Sequence, residues 1–339
     1  SSLHNNSSGV RNTAIGHAAA MNNTTANDNT AIGYHAFQVN TLGSGNVAVG
    51  NYSLDANTTA DKNTAVGFYS LTNTTTGDLN TAIGFNAMAA AQTADRNVAV
   101  GGYALSSYSA SGDNYVTAVG YGAASNSTSA GQFVAIGGSC LGSQTSANYN
   151  VGMGYNCMAG TTTGGSNTAV GRSALYANQT GSSNTAVGYN TLVNNTVGFN
   201  TAIGSEALTA NTTGTNNVSV GRQALDANTT GSNNTALGHK ALTAITTESF
   251  CTAVGSNCLS VNTGRNNTAV GQSSLYNNTT GHFNVALGSV TLGSNTEGIN
   301  NTAIGYQAGD NITTGDNNTI IGNNADASSA TVNNEITLG

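Results

Sequence analysis

The sequence predicts an all-β chain folded as a parallel β-solenoid of about 20 coils. Three observations predict it. A short motif returns about every 17 residues, β-branched side chains alternate with period two around it, and Gly, Asn and Thr crowd out charged residues.

The motif is Asn-Thr-Ala-Val/Ile-Gly, and its glycines stand at 16, 33, 50, 67, 84, 101, 120, 137, 154, 171, 188, 204, 221, 238, 255, 271, 288, 305, 322 and 339. Successive spacings are 17, apart from 19 between Gly101 and Gly120 and 16 before Gly204 and Gly271. A fixed period of this length marks a stack of similar units rather than ordinary domains, so residues 1–339 read as a single repeat domain.

Positions below are counted from the motif glycine. Position −3 is β-branched, as in Thr13, Thr30, Val47, Val98, Val218 and Ile336, and position −1 holds Ile15, Ile32, Val49, Val170, Leu237 and their equivalents. Two residues apart, these columns share one face of a strand. Position +4 is a larger apolar group, as in Phe37, Leu54, Met88, Leu141 and Leu275. These three columns are the expected core. The β-branched bias favours strand, and a glycine in every repeat disfavours helix.

Beyond the glycine the sequence predicts a second short strand and then an Asn-Thr-Thr-Gly corner, as at Asn211–Gly214 and Asn228–Gly231. Asn and Gly suit such corners because they tolerate positive φ. Each coil thus reads as strand, glycine bend, strand and turn, with a three-sided coil as the tighter alternative. One coil buries too little to offset its own ordering, so stability must come from stacking. At the spacing of neighbouring strands, 20 coils would make a rod on the order of 95 Å long.

The Asn at position −4, as in Asn12, Asn29, Asn46, Asn63, Asn80, Asn97, Asn167 and Asn267, would stack amide upon amide into a hydrogen-bonded ladder. Two further columns are small: Ala14, Ala31 and Ala48 at −2, and Ala19, Ala36, Ser53, Cys140 and Cys157 at +3. Placed outside the core, a persistently small ridge fits either the surface of another chain or bends too tight for bulk. Between about residues 101 and 160 the rhythm loosens, with Val116 and Phe133 in the Asn column. Irregular coils there fit either a binding bulge or simple drift.

Charged residues make up 6% of the chain, and the net charge is −7 with only seven basic residues. A nucleic-acid surface needs a basic stripe, which these cannot form. No apolar run is long enough to span a membrane, and no signal peptide is evident, so Ser1 opens a mature chain or an excised fragment.

Candidate chemistry is sparse, and no catalytic, cofactor or metal residues are expected. Cys140 and Cys157 lie one repeat apart, which suits either a disulfide between neighbouring coils or two small buried hydrophobes. The histidines His4, His17, His35, His239 and His282 fall in different coils, without a triad or zinc spacing. Asp61, Asp78, Asp113 and Asp316 fall in turns, as turn formers or, less simply, as calcium ligands. Tyr34, Phe68, Phe85, Tyr121, Tyr155, Tyr189 and Tyr306 follow the glycine. Rings along one edge would either grip a glycan or shield the bend and a seam between chains.

The strings NTAIG, NVAVG, FVAIG and NVALG resemble the head repeats of trimeric autotransporter adhesins of the Yersinia-adhesin type. The fuller pattern of residues 167–188, NTAVGRSALYANQTGSSNTAVG, resembles bacterial and phage fibre proteins with 17-residue repeats that precede an endosialidase-type chaperone domain. Residues 334–339, NEITLG, resemble the stretch before that chaperone, which implies a chain released by cleavage or a piece of a longer one. The resemblance implies a left-handed β-roll packed as a homotrimer. It implies an extracellular fibre shaft, not an enzyme, that attaches to a cell-surface glycan or protein receptor. An ice-binding β-solenoid is the alternative, disfavoured here because the Thr column is expected to face inward.

Overall fold

The computed structural model describes residues 1–339, which form short strands joined by turns, bends and irregular segments, with no helix. The chain divides into two compact units, Ser1–Val170 and Gly171–Gly339. In each unit the motif forms a file of three-residue strands, from Thr13–Ile15 to Thr168–Val170 in the first and from Thr185–Val187 to Ile336–Leu338 in the second. Strands in neighbouring coils pair parallel and in register, so that Thr30, Ala31 and Ile32 lie beside Val47, Ala48 and Val49. Each unit is therefore a parallel β-solenoid, as the repeat predicts.

The motif glycines stand in file. Gly33 has φ 141°, and a β-carbon on it would lie 2.5 Å from the carbonyl oxygen of Gly50 in the next coil. Neither the backbone angle nor the space admits a side chain, which explains a glycine in every repeat.

Which strand face turns inward differs from the expectation. Ala31, Ala48 and Ala65 are fully buried, whereas the flanking Thr/Val and Ile/Val columns are half-buried or exposed. Period two establishes that positions −3 and −1 share a face but does not say which face is inside. The interior of a 17-residue coil is narrow. Position −2 Ala opposes the small residue at +3 and the large one at +4, and both of those are buried as well. The two small columns are core, so the small outer ridge inferred from sequence does not exist.

The predicted second strand is also absent. After the glycine the chain runs through successive turns, with left-handed residues at +2 and +4, such as Tyr52 at φ 58° and Leu54 at φ 48°. Its bonds still run between coils: the Tyr52 N–H donates to Tyr34 O at 2.9 Å, and the Leu54 N–H to Ser70 O at 3.1 Å. A left-handed leucine costs about 1–2 kcal/mol. Complete burial of the side chain returns about 1.5–3 kcal/mol, so burial decides the backbone.

The Asn ladder is present. The Asn63 N–H donates to Asn46 Oδ1 at 2.8 Å, while Asn46 Nδ2 donates to Ala60 O at 2.8 Å, so each amide ties its coil twice to the next. A second ladder lies at the Asn-Thr-Thr-Gly corner. Asn228 Nδ2 donates to Asn211 Oδ1 at 2.9 Å and to Gly231 O at 3.0 Å, all inside the coil. Contrary to the turn expectation, neither Asn211 nor Asn228 has positive φ; that angle falls at position −5, as at Asn216 and Asn233.

Candidate functional site

The outward strand face runs through the coils of each unit. Side chains at −1 point away from the core throughout, with Leu237 at 45% and Leu287 at 47% exposure. Beside them stands the −3 column, in which Val218 and Val285 are likewise exposed. The strand positions this face mechanically: with Ala and Asn turned inward at −2 and −4, pleating turns the β-branched residues outward. Branched side chains stiffen a surface of this kind, because their χ1 rotamers are restricted.

An aromatic edge borders that face in the first unit. The predicted residues Tyr34, Phe68, Phe85 and Tyr121 are brought together there with five rings that sequence reasoning left out: His17, His35, Tyr52, Tyr69 and Tyr103. Phe68 and Phe85 lie parallel with centroids 5.8 Å apart, and the Tyr34 and His35 centroids are 4.1 Å apart. His17 stands at +1, and the other four occupy position +2, which shares the corner with +1 once the segment is a turn. His17 and His35, expected to be dispersed, stack at 5.6 Å. Tyr155, Tyr189 and Tyr306 lie apart from this ladder. Tyr189 receives the Arg172 guanidinium at 5.8 Å from its ring centroid.

The irregular coils replace amides with apolar side chains. Tyr108, Val116 and Phe133 are buried where the two Asn ladders would pass, and Tyr108 Oη donates to Ala130 O at 2.8 Å. Burial pushes the Tyr108 hydroxyl pKa up. The two extra residues of this coil are absorbed by a short parallel pairing of Ala94–Asp95 with Gly112–Asp113, beside an exposed ion pair between Arg96 and Asp113. Ile245 and Cys251 make the same paired exchange in the second unit, both fully buried.

All four cysteines are free and buried. Hydrogen bonding to Cys157 and burial raise the Cys140 thiol pKa, and burial raises that of Cys258 to about 12. Cysteine in the small column also has a structural counterpart. The strand residue facing Cys140 is Gly152, where a β-carbon would lie 2.7 Å from the Cys140 Sγ.

Turn carboxylates cap main-chain donors of the preceding coil: Asp61 Oδ1 accepts the Ser44 N–H at 2.6 Å, Asp78 Oδ1 the Asp61 N–H at 2.7 Å, and Asp316 Oδ1 the Ile299 N–H at 2.8 Å. A different set, Asp55, Asp226 and Asp310 at position +5, is partly desolvated, and burial raises the pKa of each. No group of three or more His, Cys, Asp or Glu side chains converges in a metal-binding arrangement. No helix is long and apolar enough to cross a membrane.

Comparison with protein-family models and with characterised proteins finds no match to the chain.

Proposed function

We propose that this chain is the structural and adhesive shaft of a homotrimeric fibre that attaches to a cell surface, working outside the cell and without catalysis. The observation that carries this reading is the outward file of Ile, Val, Leu and Met at position −1 in both units. A contiguous apolar file of this kind marks a surface that becomes covered. A second copy of the chain carries the same file at the same coil spacing, so the two match coil for coil within each unit, and closed symmetry about one axis extends this to three. The column varies among Ile32, Met153, Leu237 and Val254. A packed protein interface accommodates such changes in shape by local repacking.

Light scattering coupled to chromatography tests this reading. A mass three times the 33.7 kDa of one chain is expected. Outward charges, as in an Ile32→Glu, Ile203→Glu double variant, should lower that mass while leaving the coil signature in circular dichroism. A wild-type chain that elutes as a monomer defeats the proposal.

Ice binding gains one specific observation. The Thr-rich column at −3 faces outward, not inward as anticipated, so Thr30, Thr64 and Thr81 rank along a parallel sheet face. A lattice match demands identical side chains at identical spacing, whereas Val47 and Val98 interrupt the Thr rank and the neighbouring column varies. Thermal hysteresis of the purified protein would reverse the ranking of the two readings.

A further inference from the structure

Position +5 forms a ridge of side chains along the turn side of the coils, reading Ser260, Tyr276, Gly293 and Asp310 over four successive coils of the second unit. At Gly293 the ridge is interrupted. The gap is an open cleft of about 340 Å³, lined by Ser273, Tyr276, Asn277, Val290, Ser294 and Asp310 around the glycine. That volume lies at the small end of the range for small-molecule sites.

Two features separate this gap from ordinary variation in a repeat. Gly293, unlike the motif glycines, has no positive φ, yet a β-carbon added to it would lie 2.9 Å from Val290 Cγ1 and 3.0 Å from Val290 O in its own coil. Glycine is therefore fitted to the left-handed valine beside it, and the pair leaves the ridge open at this coil. Val290, at the floor, holds φ 58° and is the sole β-branched residue of the chain in the left-handed region. Strain of that kind gathers at binding sites more than at neutral turns.

The walls differ in chemistry. On one side stands the Tyr276 ring, 41% exposed. On the other is Asp310, whose carboxyl is held above its usual range by burial and by a hydrogen bond with Asp326. Asn277 Nδ2 is committed to Gly293 O at 2.8 Å, which leaves the Asn277 side-chain oxygen as an acceptor at the rim. Ser273 and Ser294 supply hydroxyls. A pyranose ring has the complementary character, one apolar C–H face and a girdle of hydroxyls.

We propose that the Gly293 notch binds one pyranose unit of a saccharide, with Tyr276 and Val290 against its C–H face and Ser273, Asn277, Ser294 and Asp310 on its hydroxyls. The proposal rests on the adhesive reading above and assigns its receptor a chemical class. An ammonium group would also be drawn to a ring and a carboxylate, but it leaves the neutral rim groups without partners.

Saturation-transfer NMR on the full chain tests it, with the methyl glycosides of glucose, galactose, mannose and N-acetylglucosamine as probes and Nα-acetyl-lysine methylamide as the cationic competitor. Transfer to at least one sugar is expected, weakened about tenfold or more in affinity by Tyr276→Ala and by Gly293→Val. Tyr176→Ala, a tyrosine in the same column beside no notch, should leave it unchanged. Should Gly293→Val fail to fold, half-exposed Tyr276→Ala still decides. Transfer to none of the sugars, transfer indifferent to Tyr276, or binding of the lysine probe alone overturns the proposal. A trimer that binds no sugar sinks the notch and leaves the fibre standing; a monomer that binds sugar through Tyr276 does the reverse.

Discussion

Gly309 and Ile320 exchange size across the interior of the second unit. Position +4 is a buried Leu, Met or Phe in most coils and position −2 is almost always Ala, yet here the large column holds Gly309 and the small one Ile320. A β-carbon on Gly309 would lie 3.5 Å from Ile320 Cγ1 and 3.1 Å from Leu292 Cδ2. The total volume of the coil interior is thus held nearly constant while its distribution is not. Gly152 opposite Cys140 follows the same rule.

Restoring the common residue at one of these positions alone should therefore destabilise. Gly309→Leu overpacks the coil and Ile320→Ala leaves a cavity, each costing about 1–4 kcal/mol. The double variant re-creates the arrangement of Leu292 with Ala303 and should recover most of the loss. A coupling energy of about 0.5–3 kcal/mol in a denaturant double-mutant cycle is expected.

The amide ladder gives a sharper prediction. Asn63 is fully buried; its Oδ1 accepts the Asn80 N–H at 2.8 Å and its Nδ2 donates to Gly77 O at 2.8 Å. Asn63→Ala strands both main-chain groups, at about 1–3 kcal/mol each. Chemical denaturation should show a loss of about 2–5 kcal/mol, against nearly none for Thr64→Val, which the Val47 and Val98 coils already exemplify.

Two glycines with positive φ should respond very differently to alanine. Gly33 faces the Gly50 carbonyl, whereas Gly112, at φ 71°, has nothing within 4 Å of an added β-carbon. Gly33→Ala is expected to cost about 4 kcal/mol or more, because main chain must move. Gly112→Ala should cost about 1–2 kcal/mol, from left-handed backbone strain alone. Paired thermal melts measure the contrast.

Cys258 predicts an alkaline limb. Its pKa rises from the ordinary 9.0 to about 12 through burial, so the folded state holds the proton longer than the unfolded chain does. The resulting stability is complete below pH 9 and is lost progressively as pH climbs towards about 12. Cys258→Ala, which matches Ala224 and Ala241 in the same column, should fold normally and flatten that limb in denaturation midpoints measured across the range. The native thiol should also resist alkylation until the chain is unfolded.

The aromatic edge shows why a candidate surface was only half legible. Tyr34, Phe68, Phe85 and Tyr121 could be picked out because they recur at one position, but Tyr52, Tyr69 and Tyr103 stand at the next, which on a strand would face the opposite way. Only the left-handed turn at +2 brings both columns to one corner. The notch at Gly293 was hidden for a related reason. It consists of a missing side chain between two present ones, and it becomes a cleft only when coils 17 residues apart are neighbours in space.

The amino-acid order alone determined the parallel in-register stacking of the coils and the Asn ladder, though not its burial, because a strict repeat places like groups over like groups whatever the coil's cross-section. It could not decide which strand face is interior. Alternation is symmetric between faces, and the usual rule that large apolar residues go inside points the wrong way in a coil this narrow. Ala31 lies inside and Ile32 outside because the space is already filled by the Phe37 and Leu54 column. The tertiary structure alone could show that, and with it which apolar column is left exposed.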